Sequence, residues 1–283
     1  MPPLHRLLVA LAAVLAVVGA AGCESADDAA VEATTTTAST TTTLITTTTA
    51  PPEPGRIIVA GDSVVFDATP ALAALLGPER AEVVGMVAPA LTRPAMRSEL
   101  ARRVAEAPTD LLVVMVGIWE RAYESPSGAT LGQPGWEESY VTEVLEPVRA
   151  AVSAAGARLL FLRPPPMRDA QAEQDIAALG QVWDRFASVN EDTVRYVDSS
   201  VWFESTLGFQ ELLTDPSTGA PVRVRRTDGM HLCEHGARRL AQGIESVLST
   251  VVARPLPAAD ESATEDPAWT SRFPADECPP VTG

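Results

Sequence analysis

Residues 57–63 read Ile-Ile-Val-Ala-Gly-Asp-Ser, an apolar run that ends abruptly in Gly-Asp-Ser. Such a run predicts a buried strand that brings Ser63 to the carboxyl edge of a sheet, where open α/β sheets place their chemistry. Glycine at position 61 allows a tight turn, and we expect an Ala/Leu-rich helix to begin at Thr69 and Pro70. An ordinary strand-to-helix turn capped by Asp or Ser has the same appearance, so a second motif must decide.

That second motif is Asp228-Gly229-Met230-His231, which opens the last long helical pattern of the chain. A serine hydroxyl is a weak nucleophile that needs an adjacent base, and the base needs an acceptor to orient it. Together, Gly-Asp-Ser and Asp-x-x-His resemble the SGNH (GDSL-type) hydrolases over residues 55–252. The resemblance implies Ser63 as nucleophile, His231 as general base and Asp228 as its orienting partner, with no cofactor.

Strand and helix patterns alternate from residue 56 onward, which indicates a parallel sheet covered on both faces. We predict strands at residues 57–60, 82–87, 110–117, 157–162 and 194–198, and helices at residues 70–76, 95–107, 137–155, 170–190 and 234–252. Five strands with interleaved helices match the flavodoxin-like SGNH fold, an α/β three-layer α/β/α sandwich around a five-stranded parallel sheet.

The SGNH resemblance also implies an oxyanion hole, the group of donors that binds the negative oxygen of the reaction intermediate. The backbone N–H of Ser63 is one expected donor. The family's second donor is the N–H of a Gly after the second strand, where this chain offers Gly85 or, nearer in spacing, Ala90. A backbone donor survives a Gly-to-Ala change, so the sequence leaves both positions open.

The third block departs from the family, because residues 117–120 read Gly-Ile-Trp-Glu where the family has Gly-x-Asn-Asp. This variant resembles the SGNH domains that accompany bacterial envelope acyltransferases. Trp119 is interpreted either as a lid packed on the core or as a substrate-facing residue that excludes water and stacks on a sugar ring. We also expect Arg93, Arg97 and Arg121 to face the substrate, with surface ion pairs as the alternative.

A metal site is a competing interpretation of the last motif. His231 and His235 are spaced as two ligands on one helix, and Cys233 and Asp228 lie nearby, so the four could bind zinc. A metalloprotease helix, however, has Glu directly after its first His, and Leu232 stands there. The sequence therefore favours a site without metal.

The first 54 residues indicate export. Residues 1–22 are typical of a lipoprotein signal peptide, with an apolar core too short to span a membrane, and Cys23 is the predicted lipidation site. The alternative is a plain secreted protein. Residues 23–54 predict a disordered tether, since twelve of the residues 34–49 are Thr and this composition cannot bury apolar surface. Residues 253–283 form a Pro-rich acidic tail after the hydrolase-like domain.

Cys233 and Cys278 are predicted to form a disulfide, because exported proteins work in an oxidising compartment. Two buried free thiols are the alternative. The formal net charge of −16 argues against a nucleic-acid partner, which would require a basic surface. The oligomeric state stays open.

These observations lead to the hypothesis of a lipid-anchored, extracytoplasmic serine esterase or O-acyltransferase. Its expected substrates are small esters, such as the O-acetyl groups of cell-envelope glycans, and its expected membrane contact is the lipid anchor. The alternative is an inactive SGNH-fold lipoprotein that binds a glycan or a partner, which Trp119 in place of Asn would favour.

Overall fold

The computed structural model of the chain describes residues 56–77, 81–85, 90–204, 208–252 and 272–281. The predicted signal peptide, Cys23 and the tether lie outside the described residues, as do residues 253–271 of the tail. In the described ranges, no helix has both the length and the apolar character needed to cross a membrane.

A five-stranded, fully parallel sheet forms the centre of the fold, as the sequence predicts. Its strands are β1 (Arg56–Gly61), β2 (Ala81–Gly85), β3 (Thr109–Met115), β4 (Arg158–Arg163) and β5 (Val194–Asp198). The strand order is β2-β1-β3-β4-β5. The order reverses between β1 and β3, and ligand crevices of open α/β sheets form at the carboxyl ends of the strands at such a point.

Helices cover both faces of the sheet and complete the three predicted layers. They are α1 (Ser63–Leu76), α2 (Pro94–Glu106), α3 (Trp136–Tyr140), α4 (Glu146–Ala154), α5 (Ala170–Val189) and α6 (Glu234–Val251). Alternate residues of β1 point to opposite faces, so Ile57 and Val59 pack with α1 and α6 while Ile58 and Ala60 pack with α2 to α5. This period of two divides the apolar core into two halves, one on each side of the sheet.

Helix α1 begins at Ser63, so the prediction of a start at Thr69 and Pro70 is wrong. Asp62 caps the helix, because its side chain accepts a hydrogen bond from the N–H of Val64 at 3.0 Å. Pro70 lies inside the helix and cannot donate to the carbonyl of Phe66 four residues earlier. That carbonyl accepts a hydrogen bond from Arg272 Nη1 at 3.4 Å instead. The helix therefore continues past Pro70 without leaving this carbonyl unpaired.

Other departures are small. The predicted helix at residues 137–155 contains a π-helical turn, Val141–Leu145, between α3 and α4. A short antiparallel hairpin, β6 (Leu212–Thr214) and β7 (Pro221–Arg223), was not predicted, since three-residue strands give too short a pattern. Two short 3₁₀ helices, Glu120–Ala122 and Ser199–Phe203, follow β3 and β5.

Gly61 is required because there is no space for a side chain there. Its φ is not positive, so the predicted role in a tight turn is not what selects glycine. A Cβ at this position would lie 2.2 Å from Val65 Cγ2 and 2.5 Å from the Met115 carbonyl oxygen. Glycine therefore lets α1 pack closely against the ends of β1 and β3, which holds Ser63 at the edge of the sheet.

We expect Gly61→Ala to lower the free energy of unfolding by about 3 kcal/mol, the upper end for over-packing a core. Urea unfolding followed by circular dichroism measures the loss. Gly132→Ala is the matched control, since a Cβ there meets no atom within 4 Å. Only the backbone strain of alanine at a φ of +85° should lower its stability, by about 1–2 kcal/mol. A loss for Gly61→Ala no larger than the control would contradict this explanation.

Candidate active site

Ser63 is the first residue of α1 and lies half-buried at the carboxyl end of β1. Its Oγ is 2.8 Å from His231 Nε2. The structure therefore joins the Gly-Asp-Ser and Asp-x-x-His motifs, which are 168 residues apart in the chain. In this geometry the imidazole can accept the proton of the serine hydroxyl.

Asp228 holds the other side of the imidazole. Its Oδ2 is 2.6 Å from His231 Nδ1, and its Oδ1 accepts hydrogen bonds from the N–H groups of Met230 at 2.8 Å and His231 at 3.0 Å. Burial raises the pKa of Asp228, but the hydrogen bonds from His231 and from these two N–H groups outweigh burial and lower it. Asp228 is thus kept ionised, and the three predicted residues form one hydrogen-bonded chain.

Asp67 ties the loop that carries His231 to the helix that carries Ser63. This carboxylate lies four residues after Ser63, on the same face of α1, and is 4% exposed. Its Oδ2 accepts from the N–H of Leu232 at 3.0 Å, and its Oδ1 accepts from Arg226 Nη2 at 2.8 Å. Asp67 was not among the residues predicted from the sequence, although an acidic residue within an apolar helical run is a visible signal.

Arg225 supports the same loop from the opposite side and was also missed. Its guanidinium, 1% exposed, donates to the carbonyls of Met230 at 2.9 Å and Pro166 at 2.7 Å and lies over the ring of Phe203. Burial lowers the pKa of Arg225 to about 10, so the residue stays charged at neutral pH. The loop before α6 is therefore bound to both α1 and the segment after β4.

The backbone offers two donors for an oxyanion. Among the described residues, no acceptor is bonded to the N–H of Ser63 or to that of Ala90, which is 2% exposed. Ala90 opens a turn after β2, whereas Gly85 is still within β2, in register with Gly61. Ala90 therefore has a buried N–H without a described partner in a turn after β2, and the second-block donor role of Ala90 or Gly85 stays a prediction.

Trp119 is 43% exposed, so it is not a lid packed into the core. Its indole N–H has no acceptor among the described residues. The preceding residue, Ile118, packs against a small apolar cluster that includes Met167 and Ile176, and Met230 of the His231 loop packs against the same cluster. Trp119 therefore lies at the sheet edge with its ring available to a ligand.

The three arginines proposed to face the substrate differ in their contacts. Arg121 pairs with Asp175 of α5 at 3.4 Å, which is the surface ion pair considered as the alternative. Arg97 Nη1 donates to the carbonyl of Leu91 at 2.5 Å and so supports the turn after β2. Arg93 is exposed just before α2 and keeps its predicted substrate-facing role as a hypothesis.

The described residues contain no group of three or more His, Cys, Asp or Glu side chains arranged to hold a metal ion. Both ring nitrogens of His231 are within hydrogen-bond distance of Ser63 and Asp228. His235 is exposed and lines a cavity of about 450 Å³ next to the Cys233–Cys278 disulfide. His231 and His235 thus have separate surroundings.

Comparison with protein families decides the relationship of this chain. The family described as "Protein of unknown function (DUF459)" matches residues 56–247, from the start of β1 to near the end of α6. The chain belongs to the DUF459 family. No curated protein matches it. The five-stranded parallel sheet of this DUF459 domain, covered by helices on both faces, is the α/β/α architecture of the SGNH fold.

Solved structures similar to the DUF459 domain are enzymes of ester chemistry. Est24, a carbohydrate acetylesterase from Sinorhizobium meliloti, is 16% identical with a TM-score of 0.47, over 69% of this chain and 99% of that one. The catalytic domain of the Streptococcus pneumoniae peptidoglycan O-acetyltransferase OatA is 16% identical with a TM-score of 0.45, over 72% and 98%. The acetylxylan esterase Axe2 from Geobacillus stearothermophilus is 17% identical with a TM-score of 0.44, over 71% and 97%.

The end of the tail packs against the loop that carries His231 in the DUF459 domain. Cys278 forms a disulfide with Cys233, two residues after His231. Glu277 pairs with Arg226 at 2.5 Å, and its carbonyl accepts from the N–H of Thr227 at 2.9 Å. These contacts fix the segment that immediately precedes Asp228, so the tail takes part in building the site.

Asp62 places a nearly unsolvated carboxyl next to Ser63. It is 1% exposed, and its Oδ2 has no hydrogen-bond partner in the described part of the chain. Burial raises the pKa of Asp62 to about 6, against the lowering by the Val64 N–H and by His231. The DUF459 domain therefore keeps a costly charge at the N-terminus of α1.

We expect Asp62→Asn to flatten the pH dependence of stability between about pH 4 and 6. The pKa of Asp62 is raised on folding from 3.8 to about 6, so the folded state holds this proton more tightly than the unfolded chain does. The wild-type free energy of unfolding should then fall as pH rises through this range, by up to about 3 kcal/mol for this group. Asn keeps the cap but cannot ionise.

Urea unfolding of both proteins at half-unit pH steps tests this expectation. Asp276→Asn, an exposed carboxylate of the tail, is the control and should follow the wild-type curve. Parallel curves for wild type and Asp62→Asn would show that the Asp62 proton is not linked to folding.

Proposed function

We propose that this protein is an exported serine esterase or O-acyltransferase that acts on small ester groups through an acyl-enzyme. The observation that carries the proposal is the hydrogen-bonded chain from Ser63 Oγ through His231 to Asp228. It lies where the strand order reverses, at the edge of the sheet that favours ligand crevices.

In the first half-reaction, Ser63 Oγ attacks the ester carbonyl and His231 Nε2 accepts the serine proton. Asp228 holds the imidazole in the tautomer that can accept, and stabilises the imidazolium that forms. The backbone N–H groups of Ser63 and Ala90 bind the negative oxygen of the tetrahedral intermediate. His231 then returns its proton to the leaving alcohol, and the acyl group stays on Ser63.

In the second half-reaction, His231 removes a proton from the nucleophile that takes the acyl group. Water gives hydrolysis and a sugar hydroxyl gives transfer, and both use the same three residues. The exposed indole of Trp119 is a flat apolar face, and its neighbour Ile118 packs against the same cluster as Met230 of the His231 loop. We assign it to stacking on a sugar ring and to limiting the access of water, which favours transfer.

The proposed substrates are O-acetyl groups of cell-envelope glycans. The predicted signal peptide and Cys23 would anchor the protein outside the cytoplasm, with residues 24–54 as the tether. Fully extended, a tether of this length reaches about 100 Å. The domain could then work within the envelope while its lipid remained in the membrane.

A second candidate is a glycan-binding module that has lost catalysis. Trp119 occupies the third-block position where the SGNH resemblance expects an Asn donor, and loss of one such donor typically costs a factor of about 10²–10³ in rate. The hydrogen-bonded Ser63, His231 and Asp228 weigh against this candidate, because a binding module has no use for an aligned proton relay.

The nucleophile is tested with a fluorophosphonate probe and 4-nitrophenyl acetate. We expect the probe to label wild type at Ser63, and Ser63→Ala to lose labelling and to lower turnover by about 10⁴-fold. Ser98→Ala, an exposed serine of α2, is the matched control and should behave as wild type. Equal labelling of wild type and Ser63→Ala, or none of wild type, would rule out the proposed enzyme.

The role of Trp119 is tested by Trp119→Ala with an acetyl donor and a soluble glycan acceptor. An aromatic contact contributes about 0.5–1.5 kcal/mol, so glycan affinity should fall about 2- to 10-fold. The ratio of hydrolysis to transfer should rise, while Ser63 remains labelled. Val189→Ala, which also removes an exposed apolar side chain, should change neither quantity. If Trp119→Ala changes neither quantity, Trp119 does not contact the glycan.

A further inference from the structure

The turn after β2 has one peptide N–H that nothing in the described part of the chain uses. The turn is closed by a hydrogen bond from the Arg93 N–H to the Ala90 carbonyl at 3.1 Å. The carbonyl of Leu91 accepts from Arg97 at 2.5 Å. The buried N–H of Ala90 has no described acceptor. The direction of this N–H therefore depends on the contacts that hold the rest of the turn in place.

Glu120 holds this turn from inside the protein. Its side chain is 0% exposed, and its Oε1 accepts a hydrogen bond from the N–H of Leu91. Its Oε2 accepts from the hydroxyl of Tyr140 at 2.8 Å, and that hydroxyl is 3.3 Å from the indole nitrogen of Trp183. The carboxylate thus connects the turn to the buried aromatic core between α3 and α5.

A buried carboxylate is expensive unless it is fully hydrogen-bonded. Burial raises the pKa of Glu120 to about 7, against the lowering by the Tyr140 hydroxyl and by the N–H groups of Leu91 and Thr92. A glutamine or an apolar residue would fill this space at lower cost to stability. The structure nevertheless keeps this buried group, and its hydrogen bonds are what hold the turn at residues 90–93.

We infer that Glu120 is a positioning residue of the oxyanion hole, which fixes the turn at residues 90–93 so that the Ala90 N–H points at the developing negative oxygen. The inference deepens the proposed function and rests on it. Glu120 directly follows Trp119, which replaces the side-chain donor of the SGNH pattern. Because the backbone donors must then bind the oxyanion without an Asn amide, their alignment matters more.

The test compares Glu120→Ala with Glu120→Gln in the full exported protein. Alanine removes the acceptor for Leu91, and misplacing a catalytic group by about 1 Å can cost about 100-fold in rate. We therefore expect Glu120→Ala to lower kcat about 100-fold and to change KM less than about threefold, since the Ala90 donor acts mainly on the transition state.

Glutamine should rescue most of this loss. Its carbonyl can accept from the Leu91 N–H, and its amide N–H can donate to the Tyr140 oxygen. We expect kcat for Glu120→Gln within about tenfold of wild type. The control for general destabilisation is Val152→Ala, which removes two methyl groups from a buried side chain of α4 on the same side of the sheet. It should lower Tm but leave kcat unchanged.

Each outcome decides the inference. A kcat for Glu120→Ala close to that of Val152→Ala overturns it, and so does a loss confined to KM. Equal losses for Glu120→Ala and Glu120→Gln also overturn it, because the hydrogen-bond acceptor would then not be what matters. If Glu120→Ala does not fold, Glu120→Asp replaces it. Its shorter side chain cannot reach both Leu91 and Tyr140, so a wild-type kcat would overturn the inference.

The wild-type protein separates this inference from the proposed function. If wild type shows neither fluorophosphonate labelling nor turnover, the proposed function fails and the role of Glu120 fails with it. If wild type is active and the Glu120 variants keep its kcat, only the role of Glu120 fails.

Discussion

The site depends on the buried carboxylate of Asp67, which joins two distant parts of the chain. Its two oxygens accept hydrogen bonds from the N–H of Leu232 and from Arg226, on either side of His231. Since Asp67 is one helical turn after Ser63, the distance between Ser63 and His231 is set by this contact. Burial raises the pKa of Asp67, and the two contacts that position the loop, from Arg226 and the Leu232 N–H, oppose that shift only in part.

The loop of His231 has little regular structure of its own, so its shape comes from what surrounds it. Arg225 binds it to the segment after β4, Arg226 binds it to α1, and the Cys233–Cys278 disulfide and Glu277 bind it to the tail. A proton relay requires distances held to a few tenths of an ångström. The surrounding contacts supply that rigidity, and two of them come from a part of the chain that the sequence shows only as an acidic tail.

Acidic residues in this structure do different work according to their burial. The pKa of Asp228 is lowered because several donors face its carboxylate. The pKa values of Asp62 and Glu120 are raised because burial outweighs their hydrogen bonds. The sequence shows all three simply as carboxylates next to motif residues. Only Asp228 was assigned a role from the sequence, through its spacing from His231.

The sequence by itself determined the parallel sheet and the approximate positions of its strands, and it named Ser63, His231 and Asp228, which the structure joins by hydrogen bonds. These follow from hydrophobic periodicity and from motifs a few residues long, which are local properties. Only the tertiary structure decided that Ala90 rather than Gly85 lies in the turn, that Trp119 is exposed, and that α1 begins at Ser63. It also joined Asp67 and Glu277 to the loop of His231 and Glu120 to the turn after β2. Each of these residues bonds a partner far away in the chain, so the hydrogen bonds exist only after the helices and loops have packed.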